Sequence, residues 1–201
     1  GSSDPFALRR SAIGIVAMLS GEDAVEVSLV PAIDAALASY AQQGIEFDAD
    51  AVRRDVIEFF ITRTKVMLRD AGNSIDAIDA VLSAGVQEPV ELINRVSALE
   101  AARSEQPEVF EDLATAYARA NNLCDSELGT EIEKNLLSDV EQALVSAVDR
   151  AECNVAASLE GNNYAAALAE LASLRKPIDL FFESTMVMDE DQALRENRLR
   201  L

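Results

Sequence analysis

The chain has 201 residues, 49% of them hydrophobic but only 5% aromatic, and a net charge of −19 with no histidine at all. Its apolar content suffices for one sizeable core or two small helical ones, while the missing imidazole excludes Ser–His chemistry and the commonest zinc sites. The carboxylate surplus argues against non-specific nucleic-acid binding, to DNA included, and against anionic membranes, so any RNA contact must be local.

The first residues, Gly1-Ser2-Ser3, read as a cloning scar and are set aside. Asp4-Pro5 then predicts a helix start, the carboxylate capping free amides and proline surrendering an unneeded N–H. A helix to about Leu19 follows, with Phe6, Leu8, Ile13, Val16 and Leu19 as its apolar set, stopping at Ser20-Gly21. A second helix runs from Val25 or Val30 to Gln42, its inward stripe marked by Val30, Ile33, Leu37 and Tyr40.

Asp48 or Asp50 predicts the cap of a long helix from about Ala51 to Ala71, closed by Gly72 and broadly apolar through Val52, Val56, Phe59, Phe60, Val66 and Met67. Ser74 caps a short helix to Ala84, and Gly85 ends it. Pro89 opens a helix bearing Val90, Ile93, Val96 and Leu99, and Pro107 opens another in which Phe110, Leu113 and Tyr117 face inward up to Asn121-Asn122.

Thr130 with Glu133 predicts a capping box for a long helix carrying Ile132, Leu136, Val140, Leu144, Val148, Val155 and Leu159. It ends at Gly161-Asn162-Asn163. Tyr164 to Arg175 is a further helix, Pro177 starts a short one through Phe181-Phe182, and Asp189 with Gln192 caps the last. No strand pattern emerges. The β-favouring run from Thr185 to Met188, around Val187, is too short to pair.

The expectation is therefore an all-α fold: a helical bundle of two packed helical subdomains, residues 4–85 and 86–201, divided near Gly85 to Pro89. Cys124 and Cys153 read as reduced, partly buried thiols on helices, with a single disulfide left open. No apolar run reaches the roughly 18–20 residues needed to cross a bilayer and no signal-peptide pattern opens the chain, so a cytoplasmic location is expected.

No catalytic centre is legible. The glycines form no phosphate loop, and Asp189-Glu190-Asp191 reads as an acidic helix start, not a metal site. A guanidinium and amide set remains in the second half: Arg119, Asn121 and Asn122, then Arg175-Lys176, then Arg195, Asn197 and Arg198. Such groups hydrogen-bond base edges and phosphates of single-stranded RNA, with a nearby Phe or Met supporting an unstacked base. The plainer reading is surface charge and helix-end caps.

Taken in order, Asp4-Pro-Phe-Ala-Leu-Arg-Arg10, Val56-Ile-Glu-Phe-Phe60, Arg95-Val-Ser-Ala-Leu99, Phe110-Glu-Asp-Leu-Ala-Thr-Ala-Tyr117, Arg119-Ala-Asn-Asn-Leu123 and Pro177-Ile-Asp-Leu-Phe-Phe182 form a series. Met186-Val-Met-Asp-Glu-Asp191 and Leu194-Arg-Glu-Asn-Arg-Leu199 close it. The series resembles the C-terminal region of the β subunit of bacterial glycyl-tRNA synthetase, which includes a DALR-type anticodon-binding domain.

That resemblance implies a tRNA-binding module supporting glycyl-tRNA formation and inactive alone, residues 86–201 being the DALR-like bundle and 4–85 the helical region before it. It implies glycine tRNA and the α subunit as partners. ATP and magnesium would lie in that α subunit, with no cofactor in this fragment and no metal site. The residues it points to for tRNA are Arg119, Asn122, Arg195, Asn197 and Arg198, with one cation before the Asn turn where the family tends to carry two. A helical scaffold that assembles subunits without touching RNA is the alternative.

Overall fold

A computed structural model describes residues 4, 6–21, 24–25, 27–123 and 127–201. The described residues form ten α-helices and one 3-10 turn, with no strand, and the chain divides into two compact units, 1–100 and 101–201.

The first unit holds α1 (Leu8–Ser20), α2 (Leu29–Gln42), α3 (Ala49–Asp70), α4 (Ile75–Ser83) and most of α5 (Pro89–Glu105). Helix α3 is the central post, with α1, α2 and α4 packed on it. Its length follows from its ends: the Asp48 carboxylate accepts from the Ala51 amide at 3.0 Å, and Gly72 takes the left-handed φ of 94° just past the last turn. Ala12, Val16, Leu29, Ile33, Ile57 and Phe60 make one buried cluster. Leu68, Ala77, Ile78, Val81, Val86, Leu92 and Val96 make a second.

Two glutamates of α5 and its approach cap helices far away in sequence. The two oxygens of Glu88 accept from the Leu29 and Val30 amides at 2.9 and 2.8 Å, closing the start of α2. Glu100 accepts from the Ser74 amide at 2.8 Å, while the Ser74 hydroxyl accepts from Ala77. These amides would otherwise be unpaired at helix N-termini, and carboxylates also suit the positive end of the helix dipole. Sequence placed a division between 85 and 86; in the structure Val86, Leu92 and Val96 are core residues of the first unit, and the division falls after Glu100, inside α5.

The second unit holds α6 (Pro107–Asn121), a 3-10 turn (Lys134–Leu136), α7 (Asp139–Glu160), α8 (Tyr164–Ala172), α9 (Arg175–Ser184) and α10 (Gln192–Leu199). Helices α8 and α9 pack on both α6 and α7. Buried alanines, Ala116, Ala147, Ala151, Ala167 and Ala172, let these axes approach closely. Larger side chains gather where α7 and α9 meet the C-terminus: Leu144, Phe181 and Val187, with Val140, Ile178, Phe182, Leu199 and Leu201 against them.

Several expectations are corrected. Helix α1 starts at Leu8 behind a left-handed Ala7, with Asp4 accepting from the Arg9 amide; Pro5 lies outside the described residues. Its buried residues are Ala12 and Val16, while Phe6, Leu8 and Ile13 are exposed. Tyr40 and Val66 are likewise exposed.

Thr130 and Glu133 form no capping box. The box is Ser138 with Glu141, eight residues later, and α7 begins there. The Thr130 signal loses because the Glu133 backbone is engaged elsewhere: its amide donates to Asn197 Oδ1 at 2.6 Å and its carbonyl accepts from Asn197 Nδ2 at 3.2 Å. Helix α10 is capped by Asp191, which accepts from the Ala193 and Leu194 amides, and not by Asp189. Cys153 is an exposed free thiol; Cys124 lies outside the described residues.

Candidate nucleic-acid interface

Helix α6 turns its apolar face inward through Leu113 and Ala116, leaving Tyr117 on the outside, 68% exposed. This overturns the inward placement expected for that ring. One turn along, Asn121 and the apolar residues Ala120 and Leu123 line a cavity of about 620 Å³, of the size of small-molecule pockets. Among the described residues its other walls are largely apolar, with Leu144, Ile178, Phe181 and Phe182 the bulkiest, and Thr130 and Arg200 supply polar groups. An aromatic ring, a side-chain amide and a guanidinium thus border one apolar recess.

Arg119 stands beside this recess, its guanidinium carbon 5.7 Å from the centre of the Phe182 ring. Its charge is shared with Asp179, to which it donates. Asp179 also accepts from Arg175 at 2.7 Å, and Arg175 reaches Asp112 at 3.3 Å. The Arg175 and Arg119 guanidiniums hold the Asp179 carboxyl below its ordinary range, against the opposing push of desolvation. The four groups form a surface network of alternating charge, so little bare positive field projects from Arg119.

The predicted residues of the last helix serve the fold. Asn197 is only 2% exposed, its amide spent on both backbone groups of Glu133. Arg198 donates to Glu141 at 2.6 Å, to Asp189 at 2.7 Å and to the Met186 carbonyl at 3.0 Å. Burial pushes the Glu141 carboxyl up, yet the Ser138 hydroxyl and amide together with Arg198 bring it below the ordinary range. Arg195 donates to the Asp189 carbonyl at 2.8 Å. Asn122 is exposed at the end of α6, where its backbone amide closes the last turn.

Of the five predicted residues, then, Arg119 stands beside the recess and Arg198 lines its wall while bound inside; Asn122, Arg195 and Asn197 are not among the residues lining it. Sequence reasoning missed Tyr117, Thr130 and Arg200. Tyr117 was hidden by its own spacing: with Phe110 and Leu113 it keeps the i, i+3, i+7 step of an inward stripe, and it is the burial of Ala116 in the fold that leaves the ring outside. For Thr130 and Arg200 no local signal exists, because they meet at the recess only through the fold.

The whole chain aligns with known proteins. A family model described as the glycyl-tRNA synthetase beta subunit matches residues 1–83, and one described as the DALR anticodon binding domain matches residues 113–201. The glycine–tRNA ligase beta subunit of Desulforamulus reducens is 42% identical over 204 residues. Those of Syntrophus aciditrophicus and Acinetobacter baumannii are 37% identical over 202 and 38% over 204. Each alignment covers 100% of this chain and 29% of the relative, so the chain spans less than a third of their length.

Proposed function

We propose, on the premise that this chain is the counterpart of the C-terminal region of glycyl-tRNA synthetase β subunits, that its second unit is an anticodon-binding module which holds unstacked bases of glycine tRNA at the recess beside Tyr117. The observation that supports this most directly is the exposed Tyr117 ring standing with Asn121 and Arg200 around an apolar cavity. Unpaired loop bases are recognised by stacking on aromatic or guanidinium planes and by amide hydrogen bonds to their edges. Tyr117 and Asn121 offer a ring and an amide, and Arg200, its Nε donating to the Leu128 carbonyl and its Nη2 3.7 Å from Glu196, offers a guanidinium plane.

Charge decides how the affinity is divided. Residues 101–201 hold nine Lys and Arg against twenty Asp and Glu, and Arg119, Arg175 and Arg198 are all paired. Few counterions are released when so few phosphates are neutralised, so binding relies on base contacts and its salt dependence is shallow. The module does no chemistry itself. It orients the tRNA for a distant active site, lowering the entropic cost of presenting the acceptor end. ATP and magnesium belong, in this reading, to the α subunit of a cytoplasmic two-subunit enzyme, which is the protein partner. Among the described residues no helix is long and apolar enough to cross a membrane.

The test is titration of the chain with glycine tRNA and with tRNA altered in the anticodon, at two salt concentrations, for the native sequence and for Tyr117→Ala. Base–aromatic stacking is worth ~1–3 kcal/mol, so the substitution should weaken glycine-tRNA binding by roughly tenfold with an unchanged melting temperature. Equal affinity of native and Tyr117→Ala chains, or indifference to the anticodon, would overturn the assignment.

A further inference from the structure

We propose that the end of α9 and the link after it form a docking surface for a protein segment that combines aliphatic anchors with lysine or arginine. Met186 and Met188 are 73% and 62% exposed, and Leu180, on the last turns of α9, is half exposed. Three long apolar side chains within nine residues are more than the scattered single hydrophobics a monomer surface normally carries. Thioether side chains are adaptable and recur at surfaces that receive partners.

The link carrying the methionines is fastened at Met186, Val187, Asp189 and Asp191, the Asp191 amide donating to the Asp189 carboxylate at 3.0 Å. The Met186 carbonyl accepts from Arg198, Val187 is buried, and the Asp189 amide donates to the Val187 carbonyl at 3.0 Å. The Asp189 carboxylate accepts from Arg198 and its carbonyl from Arg195. Burying Val187 by this route turns its two neighbours outward. The methionines are therefore presented on a fixed backbone, and a partner that covers them does not have to order the link first.

Charge selects the partner. Glu183, Glu190 and Asp191 are exposed around the methionines, and Asp139 is exposed at the start of α7, whose Glu141 is bound to the same Arg198. Lys176, a turn before Leu180, is the one Lys or Arg from 176 to 191, and Arg195 and Arg198 beyond that stretch are turned to internal acceptors. An apolar centre with an acidic rim repels phosphate and matches a cationic partner with apolar anchors. Leu180, Met186 and Met188 are not among the residues lining the recess beside Tyr117, although Val187 between the methionines is, and the occupant of this surface is protein, not RNA.

The chain has four methionines, Met18, Met67, Met186 and Met188, so methyl-labelled methionine NMR reads the surface directly. Met18, exposed in the first unit, is the internal control. The probes are a helical peptide of about fifteen leucines and lysines, its isomer with glutamate for lysine, and glycine tRNA. The leucine–lysine peptide should shift Met186 and Met188 and leave Met18 in place, and the glutamate isomer should shift neither. Met186→Ser with Met188→Ser should weaken the peptide roughly tenfold with glycine-tRNA affinity and melting temperature unchanged. Equal shifts at Met18 would show capture by overall acidity and overturn the proposal, as would no shift; shifts at Met186 and Met188 caused by tRNA would assign the surface to RNA.

Discussion

Replacing Arg198 with methionine decides between a strut and a reader of RNA. In the native protein its guanidinium serves Glu141, Asp189 and the Met186 carbonyl, at 2.6, 2.7 and 3.0 Å. Methionine keeps much of the aliphatic stem but leaves the Glu141 carboxylate, 1% exposed, without its cation. Removing one partner of a buried ion pair costs about 3–5 kcal/mol. Glu141 retains the Ser138 amide at 2.6 Å and Asp189 is partly solvated, which places the expected loss at the lower end, about 3 kcal/mol. With a urea dependence of about 1–3 kcal/mol per molar for a small domain, the unfolding midpoint of the second unit falls by about 1–3 M while that of the first stays put. Adding Glu141→Gln to Arg198→Met removes the stranded charge and should restore much of the loss. Unfolding followed by circular dichroism, beside tRNA titration, gives both readouts. A midpoint moved by less than about 0.3 M together with a roughly tenfold loss of tRNA affinity would refute the structural assignment and return Arg198 to the RNA site.

Two further outcomes follow from the geometry. Glu88→Ala opens both amides at the start of α2, and at the ~1 kcal/mol typical of a lost cap the first unit should lose about 1–2 kcal/mol, measured as a shift of its urea midpoint; an unchanged midpoint would mean water satisfies those amides equally well. Acid should weaken the second unit. The Glu141 and Asp189 carboxyls lie below their ordinary range in the folded chain, the first through Ser138 and Arg198 against the push of burial, the second through the Asp191 amide and Arg198. Their contribution is complete above the unfolded carboxylate range and is lost as pH falls through the folded values. Melting of native and Arg198→Met chains from neutral to acid pH should show a steeper decline in the native chain, and parallel curves would contradict the linkage.

Helix existence was legible wherever a local signal ended it: Asp48 and Gly72 around α3, Ser74 and Gly85 around α4, and Pro107 before α6 each act within a turn of their own position. The failures share a cause. Thr130 and Ser138 both begin a Ser/Thr-x-x-Glu pattern, and what separates them is Asn197, more than sixty residues away, holding the Glu133 backbone. The caps given by Glu88 to α2 and by Glu100 to α4 are also non-local, 59 and 26 residues away. Composition pointed to guanidinium and amide groups in the second half. It had no means of telling Arg119, exposed beside an aromatic ring, from Asn197 and Arg198, which the fold consumes.

The reach of α5 back into the first unit also dictates where the two halves can be cut apart. Scission after Gly85 would strip the Leu29, Val30 and Ser74 amides of their carboxylates and take Leu92 and Val96 out of the interior they help fill. A protease site beyond Glu100 spares all of these, so an autonomous N-terminal half should be sought as a product ending inside what looks, on paper, like a single uninterrupted helix.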